Sequence, residues 1–148
     1  MTQRQIKGFH EEWSFLSNFH LVKIEYEGIE YPSTEHAYQA AKFFDEDRKM
    51  KIASMPSPGA AKREGQKPGK REDWEDVKNG IMMDVCILKF AQPKMAKLLL
   101  ESGDAYLEET NTWNDTYWGV CNGVGRNQLG ITLMFIRDQL TEIYGIKS

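Results

Sequence analysis

The sequence from Tyr31 to Phe44 is the feature that most constrains the fold of this chain. A tyrosine and a proline end an extended run, and Ser33 or Thr34 then supplies the side-chain oxygen that caps a helix. The alanines that follow favour helix formation, which predicts a helix from Thr34 to about Asp45. Apart from one polar stripe, its surface is mostly alanine and phenylalanine, so we expect the helix to be largely buried.

The polar stripe of this helix consists of Glu35, Gln39 and Lys42. At about 100° per residue, the three side chains fall within an arc of roughly 60°. A buried helix must satisfy its polar groups, so a carboxylate, an amide and an amine on one stripe indicate the wall of an internal cleft. The alternative is a surface helix whose solvated face carries Glu35 and Lys42. The apolar remainder of the helix favours the cleft.

Composition limits the classes of protein to which the chain can belong. Its 148 residues suit one domain that spans 1–148, and its formal net charge of −3 argues against a general nucleic-acid coat. No apolar run is long enough to span a bilayer, and the N-terminus lacks a signal-peptide core. Cys86 and Cys121 are the only cysteines, and nothing indicates a disulfide framework, so we expect a cytoplasmic protein with no membrane partner. The three histidines lack partners at zinc spacing, so we predict no metal.

The fold class predicted from the remaining pattern is mainly α with a minor β part (α+β). We expect a single compact helical domain with a small antiparallel β element, a hairpin with Gly28 at its tip. The predicted elements are strands at Ile6–Phe9, Leu21–Tyr26 and Ile29–Tyr31, helices at Asp45–Met55, Ala60–Gln66, Glu72–Phe90 and Lys94–Leu100, a strand or short extended segment at Ala105–Thr110, and a terminal helix with the core stripe Leu129, Leu133, Ile136, Leu140 and Ile143.

Two aromatic features near these elements have a structural and a functional interpretation. In the segment Trp13–Phe19, Asn18 and Phe19 either hold a planar ligand or form part of a lid over the core. Trp74, in the first turn of the predicted long helix, either packs in the core or is a stacking surface for a base.

Two further segments have the composition of ligand-binding loops. Asn114 and Asp115 lie in an aromatic stretch that ends at Trp118 and Gly119. The glycine-rich segment after it surrounds Arg126-Asn127, where arginine can pair with a phosphate, although its spacing is not a dinucleotide fingerprint. A basic segment is either solvated or contacts phosphates. Its members are Lys62, Arg63, Lys67, Lys70 and Arg71.

Together these segments resemble the NADAR family, in the order in which that family has them and over nearly the whole chain. The matching residues are Phe15-Leu-Ser-Asn-Phe19, Tyr31-Pro-Ser-x-Glu35-His-x-x-Gln39-Ala-x-Lys42-Phe43, Trp74 with Glu75 and Lys78, Lys89-Phe90, Asn114-Asp115-x-x-Trp118-Gly119, Gly125-x-Asn127-x-Leu129-Gly130 and Arg137. Each motif is weak alone, but the ordered set is specific.

The resemblance implies an N-glycosidase that cleaves a C1′–N bond between a phosphorylated ribose and a base or amine, without a cofactor. Its substrate would be a phosphoribosylamino-pyrimidine intermediate of riboflavin biosynthesis or guanine that carries ADP-ribose, as a small molecule or in nucleic acid. The implied functional residues are Glu35, Trp74 and Asp115, with Lys42 as a further candidate that burial would give a lowered pKa. The candidate substrate contacts are Asn18, Phe19, Gln39, Trp74, Asn114, Trp118, Gly119, Arg126 and Asn127.

Two other functions stay open at the level of sequence. One is a module that binds ADP-ribose or a related nucleotide without cleaving it. The other is an unrelated helical interaction domain. The sequence carries no signal for an oligomeric state.

Overall fold

The computed structural model describes residues 3–145 as two compact units, one formed by residues 18–89 and the other by residues 3–17 together with 90–145. Helices dominate both units, which confirms the predicted fold class. Within residues 3–145, none of the helices combines the length and the apolar character that crossing a bilayer requires.

The unit of residues 18–89 starts with the predicted hairpin. Its strands are β2, Ile24–Tyr26, and β3, Ile29–Tyr31, which pair antiparallel. The first strand of the chain, β1, Gln5–Lys7, belongs to the other unit. The two turn residues, Glu27 and Gly28, both have positive φ, as a type I′ turn requires, and glycine adopts this conformation without steric cost. The hairpin is therefore confirmed, although β2 begins three residues later than the predicted start at Leu21.

Four helices follow the hairpin. They are α1, Thr34–Ala40; α2, Glu46–Ala53; α3, Pro58–Gly65; and α4, Trp74–Phe90, whose last residue belongs to the other unit. Ser33, Asp45 and Ser57 cap the first three, because each side chain accepts a hydrogen bond from a backbone N–H in the first turn. Helix α1 packs against α2 and α3, and its apolar surface lies in the core of this unit.

The predicted end of α1 at Asp45 is wrong. The helix stops at Ala40, and its last turn tightens as the N–H groups of Lys42 and Phe43 bond to carbonyls three residues earlier. Phe43 is almost completely buried in this tightened turn, and Asp45 starts the next helix as its cap. The chain therefore leaves the helix in a tight turn after Ala40. Lys42 lies just beyond the helix rather than on it.

The unit of residues 3–17 and 90–145 joins the two ends of the chain. It contains β1, a 3-10 helix at Glu11–Leu16, and helices α5, Pro93–Glu101, and α6, Gln128–Tyr144. Three short strands complete it: β4, Tyr106–Glu108; β5, Thr110–Asn111; and β6, Val120–Cys121.

The stripe of α6 is buried from Leu129 to Leu140, but Ile143 is 74% exposed, so its assignment to the core is wrong. The reason is its position in the last turn of the helix.

Two strand pairs in this unit were not predicted. Strand β1 pairs with β4 and β5 pairs with β6, and both pairs are parallel. The prediction of a small antiparallel β element is therefore correct for the hairpin but incomplete. Parallel partners lie far apart in the sequence or are joined by irregular segments, so no local pattern marks them.

A buried lysine near the end of α4 provides a test of the core. Lys89 is fully inaccessible to solvent, and burial lowers its pKa from 10.5 to about 8. In the unfolded chain the amine regains its ordinary pKa, so between about pH 8 and 10.5 the unfolded state binds more protons. The folded state is therefore stabilised as the pH rises through this window and carries the full penalty of burial below it.

We expect Lys89→Met to remove this pH dependence. The free energy of unfolding of the wild type should gain about 3 kcal/mol relative to the variant between pH 8 and 10.5. Urea unfolding at several pH values measures the difference. The exposed Lys94 offers a control, since Lys94→Met should follow the wild-type curve. Parallel curves for wild type and Lys89→Met would show that the buried amine does not titrate in this range.

Candidate active site

Five side chains in the unit of residues 18–89 form what we call the α1 cluster. They are Glu35, Tyr38, Gln39, Lys42 and Trp74. Every residue of α1 is buried, including Glu35 and Gln39, with 7% and 4% of their surface exposed. The expected burial of this helix is confirmed, and its polar stripe is not a solvated face.

The carboxylate of the α1 cluster is held by an amide. Gln39 Nε2 donates a hydrogen bond to Glu35 Oε2 at 2.6 Å, one helical turn away on the same face. A carboxylate only accepts, so the nitrogen of the Gln39 amide must face it, and this fixes the orientation of the amide. A hydrogen bond of this kind favours the ionised form of the carboxylate.

The amine of the α1 cluster lies beside two aromatic rings that contact each other. Lys42 Nζ is 6.0 Å from the centre of the Tyr38 ring and 5.8 Å from that of Trp74. Burial lowers the pKa of Lys42, the Glu35 charge opposes this effect, and the positive charges of Lys70 and Lys62 add to it. The predicted lowering of the Lys42 pKa is confirmed. It raises the fraction of neutral, nucleophilic amine at a given pH.

Trp74 is packed inside the protein rather than presented as an open face. Only 3% of its surface is exposed, and its ring meets that of Tyr38 edge to face, with centroids 5.1 Å apart. This is the packing arrangement that the sequence left open as one alternative. A contact between Trp74 and the substrate stays a prediction.

Asn18 forms hydrogen bonds with the first turn of α1. Its side-chain oxygen accepts from Thr34 Oγ1 at 2.8 Å, its side-chain nitrogen lies 3.4 Å from Met82 Sδ, and its backbone oxygen accepts from the N–H of Glu35. These contacts anchor the first turn of α1, so they position the backbone of Glu35. Phe19, the next residue, is 45% exposed and therefore accessible to a ligand.

His36 takes no part in the polar stripe, although it follows Glu35. It is fully buried, with Nε2 3.0 Å from the carbonyl oxygen of Met55 and Nδ1 2.7 Å from Ser33 Oγ. A carbonyl only accepts, so Nε2 carries the proton and Nδ1 accepts from the serine hydroxyl. Burial lowers the pKa of His36. The lowered pKa favours the neutral ring, which links α1 to the segment after α2.

The remaining predicted site residues belong to the unit of residues 3–17 and 90–145. Asp115 Oδ1 accepts from the backbone N–H groups of Tyr117 and Trp118, at 3.1 and 2.9 Å, which closes a local turn. Asn111 holds the other side of this turn, since its Nδ2 donates to the carbonyl of Asp115 and its Oδ1 accepts from the Asp115 N–H. The Asp115 side chain is half-buried and fixed in place.

The neighbours of Asp115 divide into packing and exposed residues. Gly119 is buried against the backbone of Glu109, where an added Cβ would lie 2.1 Å from the carbonyl oxygen. Asn127 is also buried, and its amide bonds the backbone of Leu107 and Glu109. Two further predicted contacts are exposed, Asn114 and Arg126, while Trp118 is half-buried. Of these neighbours of Asp115, the side chains of Asn114, Arg126 and Trp118 are therefore the ones accessible to a ligand.

Comparison with known proteins decides the family. The model of the NADAR domain matches residues 3–141. The chain belongs to the NADAR family. N-glycosidase YbiA of Shigella boydii is 40% identical over 134 residues, which cover 88% of this chain and 83% of that protein. The NMR structure of the Escherichia coli protein YbiA is 34% identical, with a TM-score of 0.86 over 100% of this chain and 91% of that one.

A third relative is a longer protein, of which this chain matches only a part. A riboflavin biosynthesis protein of Vibrio vulnificus is 37% identical over 137 residues, which cover 89% of this chain and 37% of that protein. The named relatives support the predicted enzyme class of this NADAR chain, a hydrolase that acts on N-glycosyl compounds. Within residues 3–145, no group of three or more His, Cys, Asp or Glu is arranged to hold a metal ion.

Three residues that contact predicted site residues were not named as contributors in the sequence analysis. Tyr38 borders the polar stripe and carries one of the two rings beside Lys42. Asn111 holds the Asp115 turn, and Gly65 packs against Gln39. A helical wheel marks Tyr38 as a neighbour of the stripe. Asn111 and Gly65 act through contacts that no local pattern indicates.

Proposed function

We propose that this protein hydrolyses the C1′–N bond between a ribose that carries phosphate and an amino group of a base, with the α1 cluster at the reacting carbon. The observation that carries the proposal is the buried carboxylate of Glu35, which Gln39 holds, in one cluster with the amine of Lys42. The N-glycosidases among the NADAR relatives support the same class of reaction.

The carboxylate suits the charge that this reaction develops. Breaking an N-glycosidic bond builds positive charge on the sugar, as in an oxocarbenium-like transition state. An ionised Glu35 next to C1′ stabilises that charge and orients water for attack. The protein has already placed the carboxylate and removed water from around it, so this stabilisation needs no reorganisation during the reaction.

The amine offers a covalent route through the same carbon. The substrate is an aminal, so its sugar ring opens to an imine at C1′, and neutral Lys42 Nζ adds to that carbon. The C1′–N bond to the base then breaks, the base leaves as a free amine after taking up a proton, and a Schiff base joins Lys42 to the sugar. Water hydrolyses this Schiff base, which releases the sugar aldehyde and restores the amine.

The positive charges near Lys42 favour a substrate that bears phosphate. Lys62 and Lys70 both act electrostatically on Lys42, and the exposed Arg126 is a further candidate in the other unit. We propose ADP-ribosylated guanine or a phosphoribosylamino-pyrimidine as the substrate, with the ADP-ribose form favoured by the basic segment. The family resemblance also assigns a catalytic role to Asp115, which stays a prediction.

The direct test is to incubate the protein with both substrates and to measure the released base and sugar by mass spectrometry. The proposal expects release from at least one of them. Asp115→Asn in the same assay tests that residue. Saturable binding of ADP-ribose by calorimetry without any product would instead establish the alternative, a nucleotide-binding module, and would overturn the enzymatic proposal.

A further inference from the structure

The buried amide of Gln39 lowers the stability of the folded protein. Only 4% of the surface of Gln39 is exposed, yet its Oε1 atom has no hydrogen-bond partner within residues 3–145. A buried oxygen without a partner destabilises the fold, and a leucine of similar size would avoid this cost. Among the described residues, the Gln39 side chain donates its hydrogen bond to Glu35. The amide therefore serves that carboxylate rather than stability.

The position of the amide depends on a glycine in α3. A Cβ atom added to Gly65 would lie 2.0 Å from Gln39 Oε1, 2.8 Å from its Cδ and 2.9 Å from its Cβ. One of these atoms, Cβ, is attached to the backbone, so a rotation of the amide alone would not relieve the overlap and Gln39 would have to move. Gly65 thus leaves the space from which Gln39 reaches Glu35.

We infer that Gln39 and Gly65 are positioning residues for Glu35. Gln39 orients the carboxylate and favours its ionised form, and Gly65 makes room for Gln39. The inference rests on the proposed function, in which Glu35 acts at C1′. It changes the role of Gln39 from the substrate contact expected from the sequence to a contact with the catalytic carboxylate.

Two variants test this arrangement, Gly65→Ala and Gln39→Leu. In both, the hydrogen bond to Glu35 is lost, so the ionised carboxylate is less favoured and less well oriented. We expect kcat to fall about tenfold with little change in KM, and the acid limb of the pH profile to move upward by about half a pH unit or more. Gly59→Ala, in the same helix, is the matched control, because its added Cβ would have only ordinary contacts of 3.7 Å or more.

A second measurement separates this inference from the proposed function. Carbon NMR of the Glu35 carboxyl follows its titration without any substrate. The inference requires its midpoint to rise in both variants and to stay in place in Gly59→Ala. Unchanged midpoints in the two variants would overturn it, whether or not the wild type is active. If Gly65→Ala does not fold, Gln39→Leu, which fills the same space with an apolar side chain, decides the outcome alone.

Discussion

Replacing Glu35 with glutamine is expected to lower kcat for base release by about 10³-fold, because the charge that stabilises the developing cation is removed. The substitution keeps the size of the side chain, so KM should change little. The substitution also alters the hydrogen bond from Gln39, because Gln39 then faces another amide rather than a carboxylate. Steady-state kinetics with quantified base release measures the effect.

A matched control for this variant lies on the hairpin. Glu30 is exposed, with an ion pair to Lys23 at 3.5 Å, so Glu30→Gln should leave kcat unchanged. Cooperative thermal unfolding of both variants shows that each is folded. A value of kcat within threefold of the wild type in Glu35→Gln would remove this carboxylate from the mechanism.

Lys42→Met is expected to abolish the covalent intermediate and to lower kcat by about 10³-fold if the Schiff-base route carries the reaction. Reduction with borohydride during turnover should trap the sugar on the wild-type protein, and peptide mass mapping should place it on Lys42. The half-buried Lys49 is the matched control, because it lies in α2 and forms an ion pair with Glu27 of the hairpin turn.

The lowered pKa of Lys42 adds a pH signature to this test. The neutral amine is the nucleophile, so kcat/KM should rise with pH through a value below the ordinary lysine pKa of 10.5. Replacing Lys70 or Lys62 with glutamine removes a charge that disfavours protonation, so the rise should move to higher pH. Full activity in Lys42→Met, with no adduct in the wild type, would establish direct attack by water and reject the covalent route.

Local patterns predicted the elements that local forces determine. The hairpin turn at Gly28, a helix cap at Ser33 or Thr34 and the apolar periods of α4 and α6 all depend on residues a few positions apart. The end of α1 escaped prediction because burial of Phe43 in a tightened turn outweighed the helix propensity of the alanines. The parallel pair of β1 and β4 escaped because its strands are separated by most of the chain.

The candidate site shows the same division. The apolar surroundings of Glu35 and Gln39 were sufficient to predict their burial, since hydrophobic surface must be covered, whereas Lys42 is half-buried. The hydrogen bond between Glu35 and Gln39 follows from their spacing, but its dependence on Gly65 arises from the packing of α3 against α1. Such contacts depend on the three-dimensional arrangement, which no local pattern in the sequence indicates, and the substrate contact predicted for Gln39 stays a prediction.

The central claim is that the α1 cluster faces the anomeric carbon of the substrate. A crystal structure of Glu35→Gln with an uncleaved substrate tests it most directly, because the inactive variant holds the substrate in place. The account predicts C1′ at about 3–4 Å from the side chain at position 35 or from Lys42 Nζ, as a reacting geometry requires. A substrate bound with C1′ away from both side chains would contradict it.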